Sequence, residues 1–246
     1  MAALTTTIES LLASRGADLL PASAALRELQ ARAALSKRIA AAYPLFEGLR
    51  DLVLDRRVIE LSAAHRPVLA TMEETDLVRR AGGKWEPSSN EARRYLTGGW
   101  LEEYVALAVA EIGADEVMSS QKIAWQSGTF RGENEIDVLA RFGERLFFCS
   151  CKALRSTLAP DDVRTREHLM DALHEADNLA DHFAPDCAIV SLAVTTDLFD
   201  ERFRSVRYEQ LHGKASALRV HLLSGESLHW PVLLKTLRKI IAMAEG

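Results

Sequence analysis

Residues Asn134–Leu154 read NEIDVLARFGERLFFCSCKAL, and the fold turns on them. Two strand-forming runs, Glu135–Leu139 and Leu146–Lys152, flank Phe142-Gly143-Glu144, which predicts a hairpin with a tight turn. Side chains alternate between the faces of a strand. Regular alternation puts Glu135 and Asp137 on one face and Ile136 and Val138 on the other. On the partner strand, Phe148, Ser150 and Lys152 share one face, and Phe147, Cys149, Cys151 and Ala153 the other. The second set is apolar and should face the core. Polar Glu135, Asp137, Ser150 and Lys152 then converge on one side of the hairpin.

Working outward, Val117, Ile123 and Trp125 fit a strand that precedes the hairpin and ends at a Ser127-Gly128 turn. Before it, WLEEYVALAVAEIG opens a helix at Trp100 with a stripe of Leu101, Val105, Ala108 and Ile112, and Gly113 terminates it. Thr97-Gly98-Gly99 separates that helix from one starting near Asn90, which Ser88 or Ser89 can cap. On the other side, Asp161 starts a long helix with apolar positions at Leu169, Leu173, Ala176, Ala180 and Phe183. The apolar run Cys187–Val194 reads as a fully buried strand. Leu218–Leu223 predicts another strand, and Trp230–Met243 a closing helix.

The first eighty or so residues are helical in style. Ala22–Tyr43 places Leu26, Leu29, Ala33 and Leu35 at near-helical spacing, and 46–61 continues with Leu49, Leu52, Val53, Val58 and Leu61. Pro44 and Pro67 mark ends or kinks, and Gly82-Gly83 with Pro87 a break. The expected fold is α/β: a mixed sheet flanked by helices on both faces, preceded by an α-helical N-terminal segment. The expected division is residues 1–85 and 86–246.

Composition sets limits. Of the 246 residues, 48% are hydrophobic and 26% charged, as in a soluble protein with a substantial core. No apolar run is long enough to span a bilayer, so no membrane partner is expected. The N-terminus lacks the basic region of a secretory signal. Three cysteines, two of them neighbours on one strand, suggest reduced thiols in a cytoplasmic protein. Cys149 and Cys151 are read as core rather than as a zinc pair. The net charge of −5 excludes a broadly basic nucleic-acid binder, but a local positive patch is enough for phosphodiester chemistry.

That chemistry needs a hard divalent cation on oxygen ligands, here Mg²⁺ or Mn²⁺, with a lysine beside it to orient water and stabilise developing charge. An aspartate on one strand and carboxylate-x-lysine on the next assemble such a site compactly. The pattern resembles the PD-(D/E)XK, restriction-endonuclease-like superfamily. Together GGWLEEYV, NEIDV and the strand-ending CK are similar to the nuclease domain of CRISPR-associated CARF nucleases, over roughly residues 75 to 240. The resemblance implies metal-dependent cleavage of DNA or RNA in antiviral defence. It implies Glu102 as the helix glutamate, Glu135 and Asp137 as the strand acids and Lys152 as the lysine. Glu102, Glu135 and Asp137 would be the metal ligands.

Two features depart from that family. Ser150 stands where the second carboxylate is expected, and Ala153 replaces a threonine. A hydroxyl removes one negative charge, so weakened metal binding is expected. Ser150 would at best hold a metal-bound water. The helical first eighty residues are too short and strand-poor for the sensor domain of such nucleases. A solitary effector, or one triggered from elsewhere, is expected, with a homodimer as a possible assembly. The alternative reading is a catalytically degenerate relative that binds nucleic acid or serves in an assembly.

Other residues are weighed against blander roles. Glu103 rivals Glu102, since both suit the first turn of a helix. Arg131, Arg141, Arg145 and Arg155 cluster along the hairpin sequence and are candidate phosphate contacts, or simply solvated surface. Trp100 and Tyr104 read as core aromatics. His168, His174 and His182 lack the spacing of a metal pair and read as surface or boundary residues.

Overall fold

The computed structural model describes residues 6–21, 26–55, 62–127, 129–159, 161–183 and 188–245. Ala22, Val58, Leu61, Gly128 and Cys187, named above, lie outside them. The chain opens with α1 (Ile8–Ala13), β1 (Ala17–Leu19), α2 (Leu26–Ala31), α3 (Ala33–Ala41), α4 (Tyr43–Leu54) and α5 (His65–Glu74). A small hairpin follows, β2 (Val78–Ala81) and β3 (Lys84–Pro87). Then α6 (Asn90–Arg94) passes through a π-helical turn, Tyr95–Gly99, into α7 (Trp100–Glu111). The meander β4 (Glu116–Ser127), β5 (Phe130–Phe142) and β6 (Arg145–Lys152) leads to α8 (Val163–Phe183) and β7 (Ala188–Val194). A second small hairpin, β8 (Phe199–Asp200) and β9 (Ser205–Val206), precedes α9 (Glu209–Ala217), β10 (Val220–Leu223) and α10 (Trp230–Glu245).

The main sheet runs β1-β4-β5-β6-β7-β10. Its β1, β4, β5 and β6 are antiparallel to their neighbours in turn, while β6, β7 and β10 are parallel. This is the expected mixed sheet. The continuous apolar run of β7 is explained by its place between two parallel partners with both faces covered. On one face, α7, α10 and the N-terminal helices pack on Val138, Ala140, Phe147, Cys149, Cys151, Ile189 and Ala193. On the other, α8 and α9 cover Val190, Leu192 and Val194. Beside them α1 and Phe183 cover Ile123, Ile136, Leu139, Leu146 and Phe148.

Local signals act where expected. Ser89 Oγ accepts the Ala92 N–H at 3.0 Å and starts α6. Gly143, at φ +60°, closes the β5–β6 turn, and Gly113, at φ +101°, ends α7. Other parts differ. Of the helix expected over 22–43, residues 26–41 form α2 and α3, broken at Arg32, whose guanidinium turns to Glu103, and Tyr43 opens α4. Gly82-Gly83 is a hairpin turn rather than only a break. Ala17–Leu19 adds an edge strand from within the helical segment. A three-residue strand carries too little alternation to be seen in sequence.

The regular alternation expected for β5 also fails at one point. Val138 packs with the α7 layer, yet both Ile136 and Leu139 pack with α1. Three positions separate two residues of one face, so β5 holds one residue too many for simple alternation. In β4, Met118 and Ile123 share a face five positions apart, with the same consequence. The surplus residues oppose each other. The ladder pairs Ser119 with Val138 and Gln121 with Ile136, and skips Ser120 and Asp137. Ser120 sits at φ +51°, in the left-handed region. The result is a bulge shared by both strands, placed where the β5–β6 ladder also stops, at Val138 and Cys149.

Candidate active site

The shared bulge frees Asp137 from the sheet. Its carboxylate turns to β6, where Oδ2 accepts the Cys151 N–H at 2.6 Å and lies 3.4 Å from Ser150 Oγ. Burial raises the Asp137 pKa, the Cys151 N–H and Lys152 oppose that, and nearby Glu175 and Glu135 add to it; the net shift is upward. Lys152 ends β6 and pairs with Glu175 of α8, Nζ to Oε2 3.1 Å. Burial opposes the charge of Lys152, but Asp137 and Glu175 more than offset it and hold its pKa above the usual lysine value.

Glu102 comes from the first turn of α7 and accepts a hydrogen bond from the Ser120 hydroxyl. Burial lifts its pKa most, Ser120 opposes this, and the charge of Asp137 lifts it further. The two carboxylates therefore act on one another across the bulge. Glu103 faces away from them, buried, in a two-pronged pair with Arg32. The two neighbours on the helix thus part: Glu102 turns to Ser120 at the bulge and Glu103 to the N-terminal segment. Glu135 is exposed and receives Arg94 at 2.5 Å, and the same guanidinium reaches Glu102 at 3.4 Å.

Arg94, Ser120 and Glu175 were not singled out in the sequence. Arg94 lies eight residues before Glu102, about two helical turns, and the π-turn between them adjusts its bearing. Glu175 adjoins Ala176 at the margin of the apolar stripe of α8, a boundary charge that only packing makes informative. Ser120 has no periodic signal, because it is the residue that breaks the period.

The four arginines are not brought together. Arg141 is tied to Asp115 and Glu116 at the turn end of the hairpin, where Arg145 begins β6. Arg131 is exposed toward the opposite end of β5, and Arg155 stands beyond β6 near Glu47 and Asp51. Trp100 and Tyr104 are fully buried, Trp100 against Tyr43 and Phe46 and Tyr104 donating to the Leu228 carbonyl. Cys149 and Cys151 are buried free thiols in the α7 layer.

Among the described residues, no three His, Cys, Asp or Glu side chains are gathered closely enough to cage a metal ion. A looser fit remains open to a hard cation. Mg²⁺ is commonly held by one or two carboxylates, with water and substrate phosphate completing its shell. Glu102 and Asp137 are such a pair: both half-buried, and each made harder to ionise by desolvation and by neighbouring acids. A positive charge between them relieves that repulsion, so the donor set fits an open cation site. No helix of the described residues is long and apolar enough to cross a membrane.

Comparison with known proteins gives the same region. The model of the "Card1-like, endonuclease domain" family matches residues 89–222, more than half of the chain. No curated protein sequence matches. Among solved structures, the fold is similar to protein VC1899 from Vibrio cholerae, with a TM-score of 0.68 and 21% identity over 98% of this chain and 62% of that one. It is also similar to Can2 from Sulfobacillus thermosulfidooxidans, solved in complex with cyclic tetra-adenylate, with a TM-score of 0.61 and 16% identity over 96% of this chain and 61% of that one. The chain spans about three-fifths of the length of either structure.

Proposed function

This chain belongs to the Card1-like endonuclease-domain family, and from that premise we propose that it hydrolyses phosphodiester bonds of DNA or RNA with a divalent cation. The observation that carries the reading is the meeting of Glu102, Asp137 and Lys152 at the shared bulge, from α7, β5 and β6. Glu102 and Asp137 would hold Mg²⁺ or Mn²⁺, with Glu135 nearby. The cation, when bound, lowers the pKa of a water and neutralises charge developing on phosphorus. Lys152 remains protonated beside Asp137 and donates to the attacking water or to a phosphate oxygen. Ser150 steadies Asp137 by its hydroxyl. The setting we infer is CRISPR-associated defence in the cytoplasm; the resemblance of GGWLEEYV, NEIDV and the strand-ending CK to CRISPR-associated nucleases supports the defence role. A homodimer goes with that reading, and light scattering that gives only the monomer mass removes it.

The test is cleavage of supercoiled plasmid, single-stranded DNA and RNA with Mn²⁺. Wild type is expected to cut at least one, and Asp137→Ala to lose at least about a hundredfold in rate. The replacement of the motif carboxylate by Ser150 favours a second reading, that of a decayed nuclease kept for binding. Silence in wild type with activity in Ser150→Glu decides for that second reading. Silence in wild type and both variants removes the main support for the nuclease.

A further inference from the structure

Ser150 leaves the site one carboxylate short, and the wall facing it is α8. Ser150 is buried on β6 between Phe148 and Lys152. Leu169, Ala172, Leu173 and Ala176 seat α8 on the sheet. Glu175, next to Ala176, lines the same small cleft as Glu135, Asp137 and Ser150. It is the acid in that cleft that comes from a helix, and it reaches Lys152 Nζ at 3.1 Å. Its charge is also felt at Asp137.

We propose that Glu175 is the second carboxylate of the cation site, supplied from α8 in place of a carboxylate at position 150. The inference rests on the nuclease reading above and names a residue for that same site. Three observations carry it. The longer side chain of a glutamate can cross from helix to strand, where a serine at 150 leaves room. A carboxylate at 150 would stand beside Glu175 and repel it, so Ser150 and Glu175 are complementary choices. Glu175 also contacts the lysine that a strand carboxylate two residues earlier would otherwise accompany. Glu175 then restores the negative charge that a serine at 150 removes, and a dication held by one or two of these acids would complete its shell with water and substrate phosphate.

The experiment is Mn²⁺ binding to the full chain by titration calorimetry, with melting temperatures measured without metal. Wild type, Glu175→Gln, Asp137→Ala and the double variant Ser150→Glu/Glu175→Gln are compared. Glu175 is more than half exposed, so Glu175→Gln is expected to melt as wild type does. It is expected to bind Mn²⁺ about tenfold or more weakly, and the double variant to regain most of that loss. If Glu175→Gln binds as wild type while Asp137→Ala does not bind, the inference fails and the nuclease reading stands. Tighter binding in Glu175→Gln makes Glu175 only the partner of Lys152 and likewise overturns the inference. If neither wild type nor the double variant binds Mn²⁺, the nuclease reading itself falls.

Discussion

Asp137 and Glu102 are harder to ionise in the folded chain than in water, and this has a measurable sign. Both pKa values are raised in the folded chain, burial being the main cause. Between the ordinary carboxylate value and the raised one, the folded state therefore binds more protons than the unfolded state. Stability falls as pH rises through that window, and the cost is complete above the raised value. Asp137→Asn keeps an acceptor for the Cys151 N–H and removes the charge. It is expected to raise the melting temperature by a few degrees at pH 7, with the gain vanishing at pH 3. A lower melting temperature at pH 7 would show that Lys152 outweighs burial. Arg94 now neutralises Glu102 and Glu135, so Arg94→Ala should tighten Mn²⁺ binding severalfold, measured by calorimetry. At this scale the sequence was partly legible. Glu102, Asp137 and Lys152 stand in short contiguous motifs, whereas Arg94, Ser120 and Glu175 reach the site only through packing between elements distant in the chain.

Elements were more legible than residues. The hairpin, α7, α8, β7 and α10 all lie close to where periodicity and turn residues put them, because each buries a whole apolar face. The shared bulge was invisible, since one surplus residue per strand looks like ordinary alternation until the faces are assigned by packing. The β4–β5 pair also depends on one close approach. A Cβ at Gly132 would lie 2.6 Å from the indole of Trp125, its partner in the ladder, whose Nε1 donates to Asn134 at 2.6 Å. Gly132→Ala should therefore destabilise the protein by about 1–3 kcal/mol, read from urea unfolding. A loss below 0.5 kcal/mol, roughly the effect of an ordinary surface change, would mean that the indole can move aside freely.

Across the whole molecule, the N-terminal helices belong to the same core as the sheet. Leu29, Ile39, Tyr43, Phe46 and Leu49 join one buried cluster with Trp100, Phe147 and Ile241. Arg32 closes that contact by pairing with buried Glu103. A division at 85/86 was proposed from composition, and its consequence for folding can be tested. Residues 86–246 alone would expose the Trp100 face of α7, so this fragment is expected to aggregate or to lose cooperative unfolding in calorimetry. A cooperative, soluble fragment would show that the division is also one of folding. In the full chain, Arg32→Ala strands the Glu103 carboxylate and should cost about 1–3 kcal/mol, less when combined with Glu103→Gln. The contact was hidden in sequence because Arg32 lies within a stretch that reads as one uninterrupted helix.

The shared bulge also separates what natural selection can see. Ser120 and Asp137 are spare to the sheet: omitting both would leave strands of unbroken alternation with the same partners. Omitting one alone would turn half of a strand inside out. Inheritance can thus lengthen or shorten the two strands only together, while the chemistry carried on the spare pair drifts unpoliced by folding. A lineage built this way can shed or recover an acid at position 137 without the register of its sheet changing.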